Sequence, residues 1–85
     1  MAEVSRFYGI IVLFHWNGHP PPHVHARYGE DEITVTLDSR MEVEGRFPRR
    51  ALALLLEWVQ LHRDELLENW RRAEGKEPLL PVEPL

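Results

Sequence analysis

Eighty-five residues, 44% of them hydrophobic and 28% charged, with a net charge of −4, suffice for one globular domain and exclude a disordered chain. The lack of cysteine excludes disulfides and thiolate metal sites, and the acidic balance argues against a general nucleic-acid coat. No apolar run approaches the ~18 residues of a membrane helix, no basic-then-apolar leader opens the sequence, and a cytoplasmic protein is expected.

Residues 7–16, Phe-Tyr-Gly-Ile-Ile-Val-Leu-Phe-His-Trp, are β-branched and aromatic and read as a strand. Both of its faces are apolar, with Ile11 and Leu13 on one and Ile10, Val12, Phe14 and Trp16 on the other. Asn17-Gly18 then breaks the chain and Pro20-Pro21-Pro22 holds it extended. Residues 23–28 alternate: Val24, Ala26 and Tyr28 point one way, His23, His25 and Arg27 the other. Residues 32–38 alternate too, with Ile33, Val35 and Leu37 set against Glu32, Thr34, Thr36 and Asp38. A turn at Gly29-Glu30-Asp31 that puts Tyr28 opposite Ile33 brings the apolar sets together. It also lays His23 across from Asp38 and His25 across from Thr36. Residues 41–47 alternate again after a turn at Ser39-Arg40, with Met41, Val43 and Phe47 on the apolar side.

Pro48 marks a helix start, because its missing N–H costs nothing in the first turn. Leu52, Leu55, Val59, His62, Leu66 and Trp70 recur at steps of three and four, and Ala51, Leu54, Trp58 and Leu61 widen this stripe. The pattern predicts one helix to about residue 73, with a bend near His62-Arg63-Asp64 and a stop at Gly75. The expected fold is α+β: a four-stranded antiparallel sheet with one long C-terminal helix packed on one face, ββββα. Residues 1–75 form the domain and 76–85 an irregular, proline-rich tail. One helix covers one face only, so Ile10, Val12, Phe14 and Trp16 are left as a surplus that suggests a homodimer or a partner on the first strand. Leu79, Leu80 and Val82 of the tail are a competing cover.

Four of the five histidines, His15, His19, His23 and His25, fall within eleven positions. His23 and His25 leave the same face of a strand, and the stiff proline run lets His19 fold back beside them. Two chemistries fit. Three imidazoles suit a divalent transition metal such as zinc, with a fourth ligand or water. Paired histidines beside Asp38 and arginine suit acid–base cleavage of RNA without metal. A plain reading, an exposed polar strand whose histidines pair with Asp38 and Glu42, stands beside both. Arg46, Arg49 and Arg50 surround the helix start, where the dipole already favours anions, and form a candidate phosphate or carboxylate site. His62 lies on the apolar stripe and reads as a core histidine with a backbone partner. No Gly-x-Ser-x-Gly elbow or phosphate-binding glycine loop occurs.

Ser5-Arg6-Phe7-Tyr8-Gly9-Ile10, His19-Pro20-Pro21-Pro22-His23-Val24-His25-Ala26, Pro48-Arg49-Arg50-Ala51-Leu52, Glu57-Trp58, Leu61-His62-Arg63 and Leu66-Leu67-Glu68-Asn69-Trp70 follow one another in the chain. Together they resemble the bacterial domain-of-unknown-function 4160 family from about Val4 to Trp70. The resemblance implies a component of a toxin–antitoxin-like gene pair, with a partner protein from a neighbouring gene and an RNA-related activity. It covers His19, His23, His25, Arg49, Arg50 and His62. His15 departs from it, since an aromatic is usual there, so His15 is left out of the expected site. The leading expectation is therefore an interaction protein that binds a partner protein alongside nucleic acid. A His-dependent ribonuclease or metal-assisted hydrolase is the first alternative, and a structural dimer without catalysis the second.

Overall fold

The computed structural model describes residues 2–85 and shows an α+β protein with a five-stranded antiparallel sheet and two helices. The strands are β1 (Ala2–Phe7), β2 (Ile10–Phe14), β3 (His23–Tyr28), β4 (Asp31–Thr36) and β5 (Val43–Gly45), and the helices are α1 (Arg49–Leu61) and α2 (Arg63–Glu74). Strand order follows chain order, so the sheet is a simple meander.

The expected first strand over 7–16 is instead the turn and second arm of a hairpin. Tyr8 and Gly9 both have positive φ, +48° and +82°, which makes a two-residue turn whose twist matches antiparallel strands. β1 therefore precedes it and pairs Phe7 with Ile10 and Ala2 with Phe14, with a bulge between Glu3 and Ser5. The bulge spoils strict alternation, and Val4 and Ser5 are both buried.

The hairpin of β3 and β4 also differs in register. Tyr28 pairs with Asp31 and Ala26 with Ile33, so Gly29-Glu30 alone forms the turn. The slip is two residues, which keeps Val24, Ala26, Ile33 and Val35 on one buried face. It moves His23 opposite Thr36 and His25 opposite Thr34, not Asp38 and Thr36. Of the expected apolar face, Tyr28 and Val43 are exposed.

Two helices replace the single long one. α1 ends at Leu61, His62 sits at φ −115°, ψ 21°, and α2 restarts at Arg63 with Asp64 and Glu65 in its first turn, where carboxylates suit the helix dipole. The His62 carbonyl accepts the Leu66 N–H, and neither His62 nor Asp64 supplies a side-chain cap. Buried Ala51, Leu55, Trp58 and Val59 from α1 and Leu66 and Trp70 from α2 meet Ile10, Val12, Phe14, Val24 and Val35 of the sheet in one cluster. Leu61, expected in the stripe, is exposed.

Residues 76–85 form no helix or strand, yet they are docked. Val82 is buried in the core and donates its N–H to the Val4 carbonyl. The Asn69 side chain, fully buried, donates to the Leu80 carbonyl and accepts the Leu80 N–H, both at 2.8 Å. The Trp58 indole N–H reaches the Glu83 carbonyl. Ile10, Val12 and Phe14 are thus covered within one chain, and Trp16, the fourth member of the expected apolar surplus, is left half-buried.

Candidate functional site

The helices cover one face of the sheet. The other carries Ile11 and Leu13 from β2, His23, His25 and Arg27 from β3, Glu32, Thr34 and Thr36 from β4, and Glu44 from β5. Pairing of Leu13 with His25 sets this face. His15, two residues beyond Leu13, falls on the same side, so β2 and β3 bring three imidazoles into a row. Ring centres of His15 and His25 are 3.9 Å apart and those of His25 and His23 are 5.0 Å apart, all edge-on.

At its far end the row meets the helical layer. The His23 ring lies 5.0 Å from the Trp70 indole, and its Nδ1 is 2.9 Å from the Pro21 carbonyl. Gly18 allows this junction, because a Cβ there would stand 2.8 Å from the Trp70 ring. Two open clefts adjoin the row and share His15 and His25. One, of about 450 Å³, runs under the loop from Trp16 to His19 and reaches His23. The other, of about 370 Å³, continues past Arg27, Glu32, Thr34 and Glu44.

The expected members are partly assembled. His19, His23 and His25 all line the cleft under the loop, but ring-to-ring contact joins His25 to His23 and His15 rather than to His19. Among the described residues, no three His, Asp or Glu side chains are placed to share a metal ion. Asp38 stands apart from the row. Its carboxylate accepts from the Thr36 hydroxyl and from the backbone N–H groups of Arg40 and Met41, which hold it below the usual carboxylate range, the Thr36 bond foremost. The two-residue register slip is the reason that no histidine faces it. His62 sits away from this face, its ring tilted against Trp58 at 5.4 Å, with its Nδ1 2.6 Å from Glu65 Oε1; a carboxylate replaces the expected backbone partner.

His25 is held uncharged. Burial first, then the charges of His15 and His23, lower its pKa to about 4. An unfolded chain would bind this proton near pH 6.5, so between these values the unfolded state takes up a proton that the folded state refuses. The stability that this neutral ring supports is complete above pH 6.5 and is lost as pH falls toward 4. Water screens the half-buried ring, so the loss should be about 1–2 kcal/mol rather than the full value of the shift. Urea midpoints at about pH 7 and about pH 4.5 should show it, and His25→Gln should flatten the slope; an unchanged slope would refute it.

The match to a family model described as a domain of unknown function, DUF4160, extends over residues 9–71. The chain belongs to the DUF4160 family. That span holds β2 to β5, α1 and most of α2, and hence every imidazole of the row, Trp70 and the three arginines at the start of α1. β1 and the docked tail, which bond to each other, lie outside the DUF4160 match. No curated protein and no solved structure matches the chain. Sequence reasoning missed His15 as a member of the row. The available signal was parity: Leu13 and His15 share a face of one strand, as do His23 and His25 of the next.

Proposed function

We propose that this DUF4160 chain is a small interaction module of a toxin–antitoxin-like pair, which binds its partner protein through the helix-free face of the sheet. The observation that carries this reading is the histidine row set between two open clefts on a face that neither helix covers. The neutral His25 ring offers both a donor and an acceptor without the cost of burying charge, which suits a surface that is desolvated on binding. The Arg27–Glu32 pair, 2.7 Å, gives the rim a charged mark by which a partner is oriented.

The partner is better read as another protein than as a second copy, because the apolar patch of β2 is already buried. The catalytic alternative has less support. A base with a pKa of about 4 is a weak proton acceptor near neutral pH, which counts against His25 as the general base of a ribonuclease. Nucleic acid, the second ligand expected from the sequence, has less support on this face, where Arg6 and Arg27 are each already paired with a carboxylate, Glu3 and Glu32.

Co-expression with the product of the adjacent gene tests the reading. The two chains should co-purify and the pair should restore growth that one of them alone arrests. Thr34→Arg, which fills the second cleft from a half-buried position, should weaken the complex at least tenfold while the melting temperature holds. A complex indifferent to Thr34→Arg, or no complex at all, would refute the assignment of this face.

A further inference from the structure

The opposite end of the sheet, where the β1–β2 and β3–β4 turns lie, carries a recess of about 390 Å³. Tyr8, Tyr28, Pro48, Arg50, Ala51 and Leu54 line it. Tyr8 is 67% exposed and Tyr28 39%, unusual for aromatic rings in a chain this small. Tyr28 is nonetheless held in place: its ring meets Phe47 edge-on at 6.0 Å and lies against Gly9, where a Cβ would come within 3.2 Å. The recess thus offers one fixed aromatic ring and one projecting ring, over an apolar floor of Pro48, Ala51 and Leu54.

Charge is segregated beside it: Arg50 lines the recess, and Arg46 and Arg49 are its near neighbours in the chain. Arg6, Arg27, Arg40, Arg71 and Arg72 each pair with a carboxylate. Arg46, Arg49 and Arg50 are exposed, and among the described residues none of the three has a carboxylate partner. In a chain with fourteen carboxylates and ten Lys and Arg, three neighbouring unpaired guanidinium groups are a local reversal of sign. No acidic residue in the first turn of α1 relieves it.

We propose that this recess binds single-stranded nucleic acid, with a base stacked on the tyrosines and its flanking phosphates held by Arg46, Arg49 and Arg50. Guanidinium forks match phosphate oxygens in pairs. Exposed aromatic faces match bases whose own faces are free, as they are in a single strand and not in a duplex. An acidic peptide would satisfy the arginines but leave the tyrosine rings without a planar partner. The acidic remainder of the chain repels a long polyanion, so the site is short and its binding sensitive to salt. The site is separate from the partner-binding face, and either assignment can fail without the other.

Fluorescence anisotropy with labelled oligouridylate and oligoadenylate tests it in the whole chain. Both single strands should bind at least tenfold tighter than a duplex of equal length, because stacking tolerates any base. Arg46→Gln/Arg49→Gln/Arg50→Gln, all at exposed positions, should weaken binding at least tenfold. It should also lower the slope of log affinity against log salt by about 2, since each phosphate no longer neutralised removes about 0.7. Tyr8→Asn, which keeps a residue tolerant of positive φ in the turn, should weaken binding by about tenfold with the salt slope unchanged. His25→Gln should leave binding as it is. Melting temperatures near wild type establish that the variants are folded. Four results would overturn the proposal: no binding of either oligonucleotide at low salt, equal binding of duplex, full affinity in the triple variant, or displacement of the oligonucleotide by oligoglutamate at equal concentration.

Discussion

Leu55→Ala should lower the unfolding free energy by roughly 2–5 kcal/mol. Leu55 is fully buried in the middle of α1, in the same cluster as Trp58, Val12 and Val35. Removal of three carbons forfeits their transfer from water and leaves a cavity under a helix pinned on both sides, by the sheet and by the docked tail, so collapse cannot fill it. A small chain has little stability in reserve, and urea unfolding followed by tryptophan fluorescence should show a much earlier midpoint with a similar slope. A shift below about 1 kcal/mol would mean that α1 does not pack on the sheet through this face.

The second large effect belongs to Asn69. Both amide atoms of this fully buried side chain are spent on one residue, the Leu80 backbone. Asn69→Ala removes both bonds and should cost about 1–3 kcal/mol, with faster hydrogen exchange at the Leu80 and Val82 amides. Asn69→Asp is the sharper test. A carboxylate still accepts the Leu80 N–H but turns an oxygen toward the Leu80 carbonyl, at a position closed to solvent. At neutral pH the Asp variant should be less stable than the Ala variant. Burial raises the carboxyl pKa in the folded state, so the Asp variant should regain stability as pH falls and the acid can donate to the carbonyl. An Asp variant as stable as wild type at neutral pH would show that this clamp does not hold the tail.

The inward residues of β3 and β4 were legible because period-two alternation is direct evidence of a half-buried strand: Val24, Ala26, Ile33 and Val35 are all buried as expected. β1 was hidden for two reasons. The Tyr8-Gly9 turn interrupts an apolar run without a polar residue, and the bulge at Val4–Ser5 breaks the alternation before it. The register of β3 on β4 was not legible either. A slip of two residues leaves every side chain on its own face, so the apolar pattern fits both registers and only the tight Gly29-Glu30 turn decides. That slip accounts for the expected contact between His23 and Asp38, which the structure lacks. Apolar spacing continues across His62, so periodicity alone shows one long stripe; the polar His62-Arg63-Asp64 step was the signal for the bend, and the structure makes it a full break between two helices. His23 and His25 were identified by their shared face, whereas His15 required the pairing of two strands. Helical spacing marked Leu66 and Trp70 as core; Asn69 stands on the same face, three residues from Leu66, but its polar side chain kept it out of the apolar stripe.

Every strand of the sheet pairs with the strand before or after it in the chain. Each closure spans only a short connection, so contact order is low and the sheet can zip from hairpin to hairpin without a slow search. The Val82–Val4 bond is the exception, since it joins residues from nearly opposite ends of the sequence. Loop entropy rises slowly with length but is still largest here, and the bond depends on β1 and both helices being already in place. The tail should therefore dock last on refolding and be the first part to let go, opening the outer edge of β1 while the remaining strands stay paired. In this protein, early unfolding would be the loss of a clasp rather than of a core.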